Sequence, residues 1–169
     1  MLCNSDACVA PTCAIFRADL GREIRFPEET RYAEDMIFFA QLRDHGAFLR
    51  VPEPLAGYRV SGANQSTAPG FGLRSVRSRY DWMTRNHARY SPDEQRQIVA
   101  LLAERLVVAH DIAFWQRDND VARQCRTLYH EMRPTMEPPT PSLGWPIRPR
   151  LLMQWKDRID RWLGRGSAS

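Results

Sequence analysis

SPDEQRQIVALLAERLVVAHDIAFWQ, residues 91–116, decides the helical half of the fold. Its opening, Ser91-Pro92-Asp93-Glu94, is a capping box with proline at the first helical position, a favoured way to start a helix. Ile98, Leu102, Leu106, Ala109 and Ala113 then recur on one face, with Leu101, Val108 and Ile112 beside them. A face that wide predicts burial on more than one side. Upstream, Leu73, Val76, Tyr80, Met83, His87 and Tyr90 step by three and four, the spacing of another helix face. Downstream, Asp118 to Met132 reads as a third helix.

Residues 1–67 mix strand-like and helix-like pieces. Val9 to Phe16 reads as a strand, as do Ala47 to Val51 and Leu55 to Val60, with Pro52 and Pro54 forbidding a ladder between the last two. Glu34 to His45 reads as a helix stopped by Gly46 in the left-handed C-terminal position. Residues 68–133 form a helical extension. Residues 134–149 hold Pro134, Pro138, Pro139, Pro141, Pro146 and Pro149, half of the 12 prolines, and read as an extended linker. Residues 150–169 carry a final amphipathic helix, Leu151 to Leu163. The expected fold class is α/β, a small mixed sheet of a few short strands with four to five helices and a helix-rich C-terminal half.

With 169 residues, 43% of them hydrophobic and 26% charged, the chain can bury a core and is expected to fold. No apolar run approaches the roughly 20 residues that span a bilayer, and no cleavable leader is expected. The 4 cysteines form no C-x-x-C pair and suit a reducing cytoplasm. The net charge of +4 is localised. Arg148, Arg150, Lys156, Arg158, Arg161 and Arg165 outweigh Asp157 and Asp160 after residue 143, and everything before is balanced. A nucleic-acid binder carries its basic stripe across the folded body, so no nucleic-acid partner is expected.

The sharpest local chemistry is Glu34-Asp35 opening a helix. At about 100° per residue Asp35 projects between Leu42 and Phe39, on the apolar side of the first turn. The helix terminus favours its ionised form and partial burial opposes it, the tuning a general base requires. The plainer account is that acidic residues favour first turns. Cys3, Cys8 and Cys13 lack zinc spacing, His45, His87, His110 and His130 are scattered over separate helices, and no phosphate-cradling glycine motif exists. Arg74, Arg77, Arg79, Arg85 and Arg89 read as a solvated helix face or an interface. Asp118-Asn119-Asp120 reads as a turn with a helix cap.

In the tail, Leu151, Trp162, Trp155, Ile159, Leu152 and Leu163 fill an arc of about 120°, flanked by Arg158 and Lys156. Such a face suits either an anionic membrane surface or docking onto protein, this chain's own or a partner's.

An ordered set of stretches carries a resemblance: TCAIFR (12–17), IRFP (24–27), YAEDMIFF (32–39), PEPL (52–55) and YRVS (58–61) leading to Ser66. Over residues 8–67 these resemble the acceptor-side half of family 2 GT-A glycosyltransferases of bacterial type. The resemblance implies an inverting transfer of a sugar from a nucleotide-sugar donor to a hydroxyl on a glycan or lipid-linked acceptor. It makes Asp35 the base, Glu34 an orienting or acceptor-touching residue, and Tyr58, Arg59 and Ser61 substrate-binding, with Arg59 facing the diphosphate. Arg59 serves equally well as a structural ion-pair partner. In the family a donor-binding half precedes these elements and ends in an Asp-x-Asp that holds a divalent metal, Mg or Mn. That half is expected to be missing here, so the metal belongs to a complete enzyme and this chain alone is expected to be inactive. Ser61 stands where many relatives place a histidine near the metal. The alternative is a non-catalytic helical interaction module, or a membrane-peripheral one on the cytoplasmic face, derived from such an enzyme.

Overall fold

The computed structural model of the chain describes residues 11–53, 55–57 and 64–133. Two compact units divide the chain, residues 1–105 and residues 106–169, and the division falls inside the longest helix.

In the first unit, α1 spans Ala18–Glu23, α2 Glu34–Leu42 and α3 Phe71–Arg85, and α4 begins at Pro92. Helix α2 is apolar on nearly all sides, and Met36 to Ala40 and Leu42 are all buried, as an all-round apolar helix must be. Phe38 and Phe39 pack with Ile24 and Leu42, and Ala14 and Leu20 lie against them. The Phe26 ring stacks on Phe38 at 4.2 Å while Phe16 meets it edge-on at 5.4 Å. Helix α3 buries Leu73, Val76, Trp82 and Met83. Its expected continuation to Tyr90 stops at Arg85, and a short 3-10 turn, His87–Arg89, follows. The capping box forms as its sequence dictates. Glu94 N–H donates to Ser91 Oγ at 3.3 Å, and Ser91 N–H donates back to Glu94 Oε2 at 2.9 Å.

In the second unit α4 continues to Trp115, and α5 spans Asn119–Met132. Leu106, Val107, His110, Ala113 and Phe114 are buried on α4, as are Ala122, Cys125, Leu128, Tyr129 and Met132 on α5. The turn between them is tight. Asp118 N–H donates to Ala113 O at 2.9 Å and Arg117 N–H to Phe114 O at 3.2 Å, with Arg117 left-handed at φ 66°. This pair of bonds is a Schellman motif. Asp118 then caps the next helix, its Oδ1 accepting from Val121 N–H at 3.1 Å.

The expected α/β class is overturned: the described residues are helical, with no strand and no sheet among them. Of Val9 to Phe16, the described part holds a 3-10 turn, Pro11–Cys13, and then irregular chain. Residues 47–53 and 55–57 are irregular as well. The physical reason lies in burial. Ile15, Leu49, Val51 and Leu55 all point to solvent, Leu49 being 93% exposed. A β-branched run becomes a strand only when a neighbour satisfies its backbone and covers one face. Two smaller expectations also change. Gly46 sits at φ 163°, extended backbone rather than a left-handed stop, because a 3-10 turn over Arg43–His45 already ends α2. Leu101, Val108 and Ile112 on α4, expected inside, are exposed. No helix among the described residues is long and apolar enough to cross a membrane. The linker 134–149 and the helix 151–163 lie outside the described residues.

Candidate functional site

Chain entry into α2 fixes the site. Thr30 N–H donates to Pro27 O at 3.4 Å, turning the chain, and Ala33, buried and too small to cap, precedes the first helical turn. With no side chain at Ala33 to cap the helix, its free N–H groups are partly met from inside the turn: Met36 N–H donates to Asp35 Oδ1 at 2.7 Å. That bond fixes the carboxylate of Asp35, which is half-buried, and no group among the described residues binds its Oδ2. Glu34, beside it, makes no ion pair among the described residues.

Both carboxylates open onto one recess of about 260 Å³, lined further by Tyr32, Asn64, Gln65, Ser66 and Phe71. That is just below the roughly 300–1,000 Å³ of sites for drug-sized ligands, and suits a group of sugar-ring size. The far wall is a 3-10 turn, Gln65–Thr67, closed by Thr67 Oγ1 donating to Asn64 O at 2.7 Å and Thr67 N–H donating to it at 3.0 Å. Gly70 then takes φ 70°, ψ 8°, a left-handed conformation that favours glycine, and so turns the chain into α3. The two walls are tied by Arg74. Its guanidinium sits 4.6 Å from the centre of the Tyr32 ring and donates to Pro69 O at 2.6 Å. Tyr32 and Phe71 meet edge-to-face at 6.2 Å.

The lining residues therefore bring two carboxylates, two amides, two hydroxyls and two aromatic rings around one small opening. Carboxylates and amides bind hydroxyl groups in pairs, and aromatic faces cover the C–H side of a sugar ring. Of the residues singled out in the sequence, the structure brings Glu34 and Asp35 together here. Tyr58, Arg59 and Ser61 lie outside the described residues. Sequence reading missed Tyr32, Asn64, Gln65 and Phe71 as site residues. The run Asn64-Gln65-Ser66, three hydrogen-bonding side chains in succession, is the signal that could have found Asn64 and Gln65; no local signal marks Tyr32 or Phe71.

The other candidates take structural places. Asp118 caps α5 and Asp120 pairs with Arg123 at 3.4 Å. Among the described residues no three His, Cys, Asp or Glu gather as a metal-holding group. Arg79 is buried and donates to Ser75 O, Arg77 pairs with Asp81 at 3.7 Å, Arg85 with Glu29 at 3.8 Å, and Arg89 with Asp44. Cys125 is fully buried, and burial, with the Asp118 charge adding to it, pushes its thiol up to about 12. It is a neutral core side chain rather than a nucleophile. Comparison of the chain with protein-family models, curated proteins and solved structures finds no match.

Proposed function

We propose that this chain carries the acceptor site and general base of an inverting glycosyl transfer. The observation that carries the reading is the recess itself, where Asp35 and Glu34 face Asn64, Gln65 and Ser66 across an opening of sugar-ring size. The resemblance of residues 8–67 to family 2 glycosyltransferases supports the same roles from the sequence side. It does so without the sheet that the resemblance implied.

In this reading an acceptor hydroxyl sits against Asp35 Oδ2, with Oδ1 held by Met36 N–H so that the free oxygen is pre-aimed. As the hydroxyl oxygen bonds to the anomeric carbon, its proton passes to Asp35. The bond from that carbon to the nucleoside diphosphate breaks on the opposite face, and configuration inverts. Glu34, Asn64 and Gln65 orient neighbouring hydroxyls, and Tyr32 lines the ring's apolar side. Tyr58, Arg59 and Ser61 are assigned to substrate, Arg59 to the departing diphosphate, whose spread charge suits a guanidinium. The donor and any divalent metal are held by a part of the enzyme other than the residues described.

Two measurements test this. Neutral saccharides at millimolar concentration should shift the amide resonances of residues 32–36, 64–66 and 71 in the labelled chain, and a panel that shifts none of them overturns the acceptor site. In the enzyme that carries this sequence, Asp35→Asn should lower kcat by about 10²-fold or more with the acceptor KM little changed, because a carboxamide keeps the shape and loses the basic oxygen. Near-normal turnover would reduce Asp35 to a helix-terminal residue.

A further inference from the structure

Tyr32 sits on the bend that leads into α2, and its half-buried side chain forms one wall of the recess. Nothing local fixes it. Residues 31–33 belong to no helix, and the Tyr32 hydroxyl makes no hydrogen bond among the described residues. The ring is placed instead from α3. Phe71 and Arg74 stand three apart in the first turn of that helix, so both side chains rise from one face. Phe71 meets the Tyr32 ring edge-to-face at 6.2 Å, and the Arg74 guanidinium lies over the ring, 4.6 Å from its centre. Arg74 is itself anchored to the turn that opens α3. Its N–H donates to Gly70 O at 3.1 Å and its Nη2 to Pro69 O at 2.6 Å.

Two details separate Arg74 from its neighbours on α3. Arg77 pairs with Asp81 and Arg85 with Glu29, whereas Arg74 pairs with no carboxylate among the described residues, although Glu34 and Asp35 line the recess beside Tyr32. Its Nε is buried with no hydrogen-bond partner among the described residues, a costly state for a donor. The guanidinium is committed to the ring and to Pro69 O, and it neutralises neither carboxylate of the recess.

We propose that Arg74 is a positioning residue of the acceptor site. It is not among the residues lining the recess, and it acts through Tyr32, whose ring it holds ready as the apolar wall. This role presupposes the acceptor-site reading and adds the residue that keeps the wall in place before a sugar arrives. Binding an acceptor immobilises the side chain that covers its ring, and a ring already fixed avoids that cost, worth about two- to tenfold in affinity for one side chain. Asp35 is held separately, by Met36 N–H, so the Arg74 contact bears on binding and not on proton transfer.

Saccharide titrations of the labelled 169-residue chain, followed by amide resonances, test the role. The probe is the neutral saccharide that most shifts residues 34–36 and 64–66 in wild type. Arg74→Met should weaken its binding about two- to tenfold, with the resonances of residues 76–85 unmoved to show that α3 is intact. Arg74→Lys, which keeps a cation for the ring, should bind more tightly than Arg74→Met. Arg74→Gln keeps a neutral donor and should match the Arg74→Met loss, and it stands in if that variant does not fold. In a Tyr32→Leu background Arg74→Met should cost nothing further, since both act through one ring. In the enzyme that carries this sequence, Arg74→Met should raise the acceptor KM by the same factor and leave kcat within about twofold. Wild-type affinity in Arg74→Met, a full loss in Arg74→Lys, or an equal added loss in the Tyr32→Leu background overturns the role of Arg74 alone. A wild-type chain whose site no saccharide shifts overturns the acceptor site as well, so the two failures are told apart.

Discussion

His110 has no surface exposed to solvent, and its Nε2 is buried with no hydrogen-bond partner among the described residues. Its ring lies nearly parallel to Phe114, centres 6.0 Å apart, and its Nδ1 lies 3.3 Å from Asp111 Oδ1. Burial holds its pKa below the ordinary 6.5, the Asp111 hydrogen bond and charge oppose that, and Arg126 adds to the lowering. The sign of the linkage follows. The unfolded chain takes up this proton first, so the contribution of neutral His110 is complete above pH 6.5 and is lost as pH falls through that value toward the folded one. Urea unfolding should therefore show a less stable protein at pH 5.5 than at pH 7.5. His110→Phe should remove most of the difference. An unchanged difference in that variant would place the acid sensitivity elsewhere.

Among the elements, α4 shows how far local chemistry goes. The Ser91 hydroxyl and the Glu94 carboxylate satisfy each other's backbone groups, and Glu94 also takes an ion pair from Arg43 at 3.1 Å. Burial is slight there, so the cap rather than the ion pair carries the energy. Ser91→Ala should lower the unfolding free energy by about 1 kcal/mol, read from denaturant curves with an unchanged slope. A loss near zero would mean that Pro92 and Asp93 hold the helix start by themselves. This same locality explains which parts of the fold were legible. The starts of α2, α4 and α5 were readable because caps and first-turn carboxylates lie within four residues of what they bind. The strands were misread because Ile15, Leu49 and Leu55 qualify as strand residues by type alone, and only a partner far away in sequence could have made them so. The site divides along the same line. Glu34 and Asp35 announce themselves within one helical turn. Asn64, Gln65 and Phe71 reach the recess through a turn about thirty residues on, and through Arg74 bridging Tyr32 to Pro69, a link no window along the sequence contains.

For the molecule as a whole, charge is divided sharply along the chain. The sequence has an isoelectric point near 9.1 and a net charge of +4, and all of that excess follows residue 143. A chain ending at residue 143 should therefore focus near neutrality and pass through a cation exchanger that retains the full chain. Retention of both at the same salt would show that a local basic surface, not net charge, governs binding. At physiological salt fields fade over about 8 Å, so the tail acts only on what it touches.

The turn from α4 to α5 has a consequence in time rather than in space. Each bond that closes it joins residues at most five apart: Ala113 to Asp118, Phe114 to Arg117, Asp118 to Val121. Contacts that near in sequence require almost no search, and closing so short a loop takes on the order of 100 ns or less. On a chain emerging from the ribosome, this corner can be made as soon as Val121 is free, before the residues that follow α5 have emerged. Asp118 ends one helix and begins the next, so a single inserted residue after Arg117 would separate those two roles. The corner would then lose its speed along with its shape.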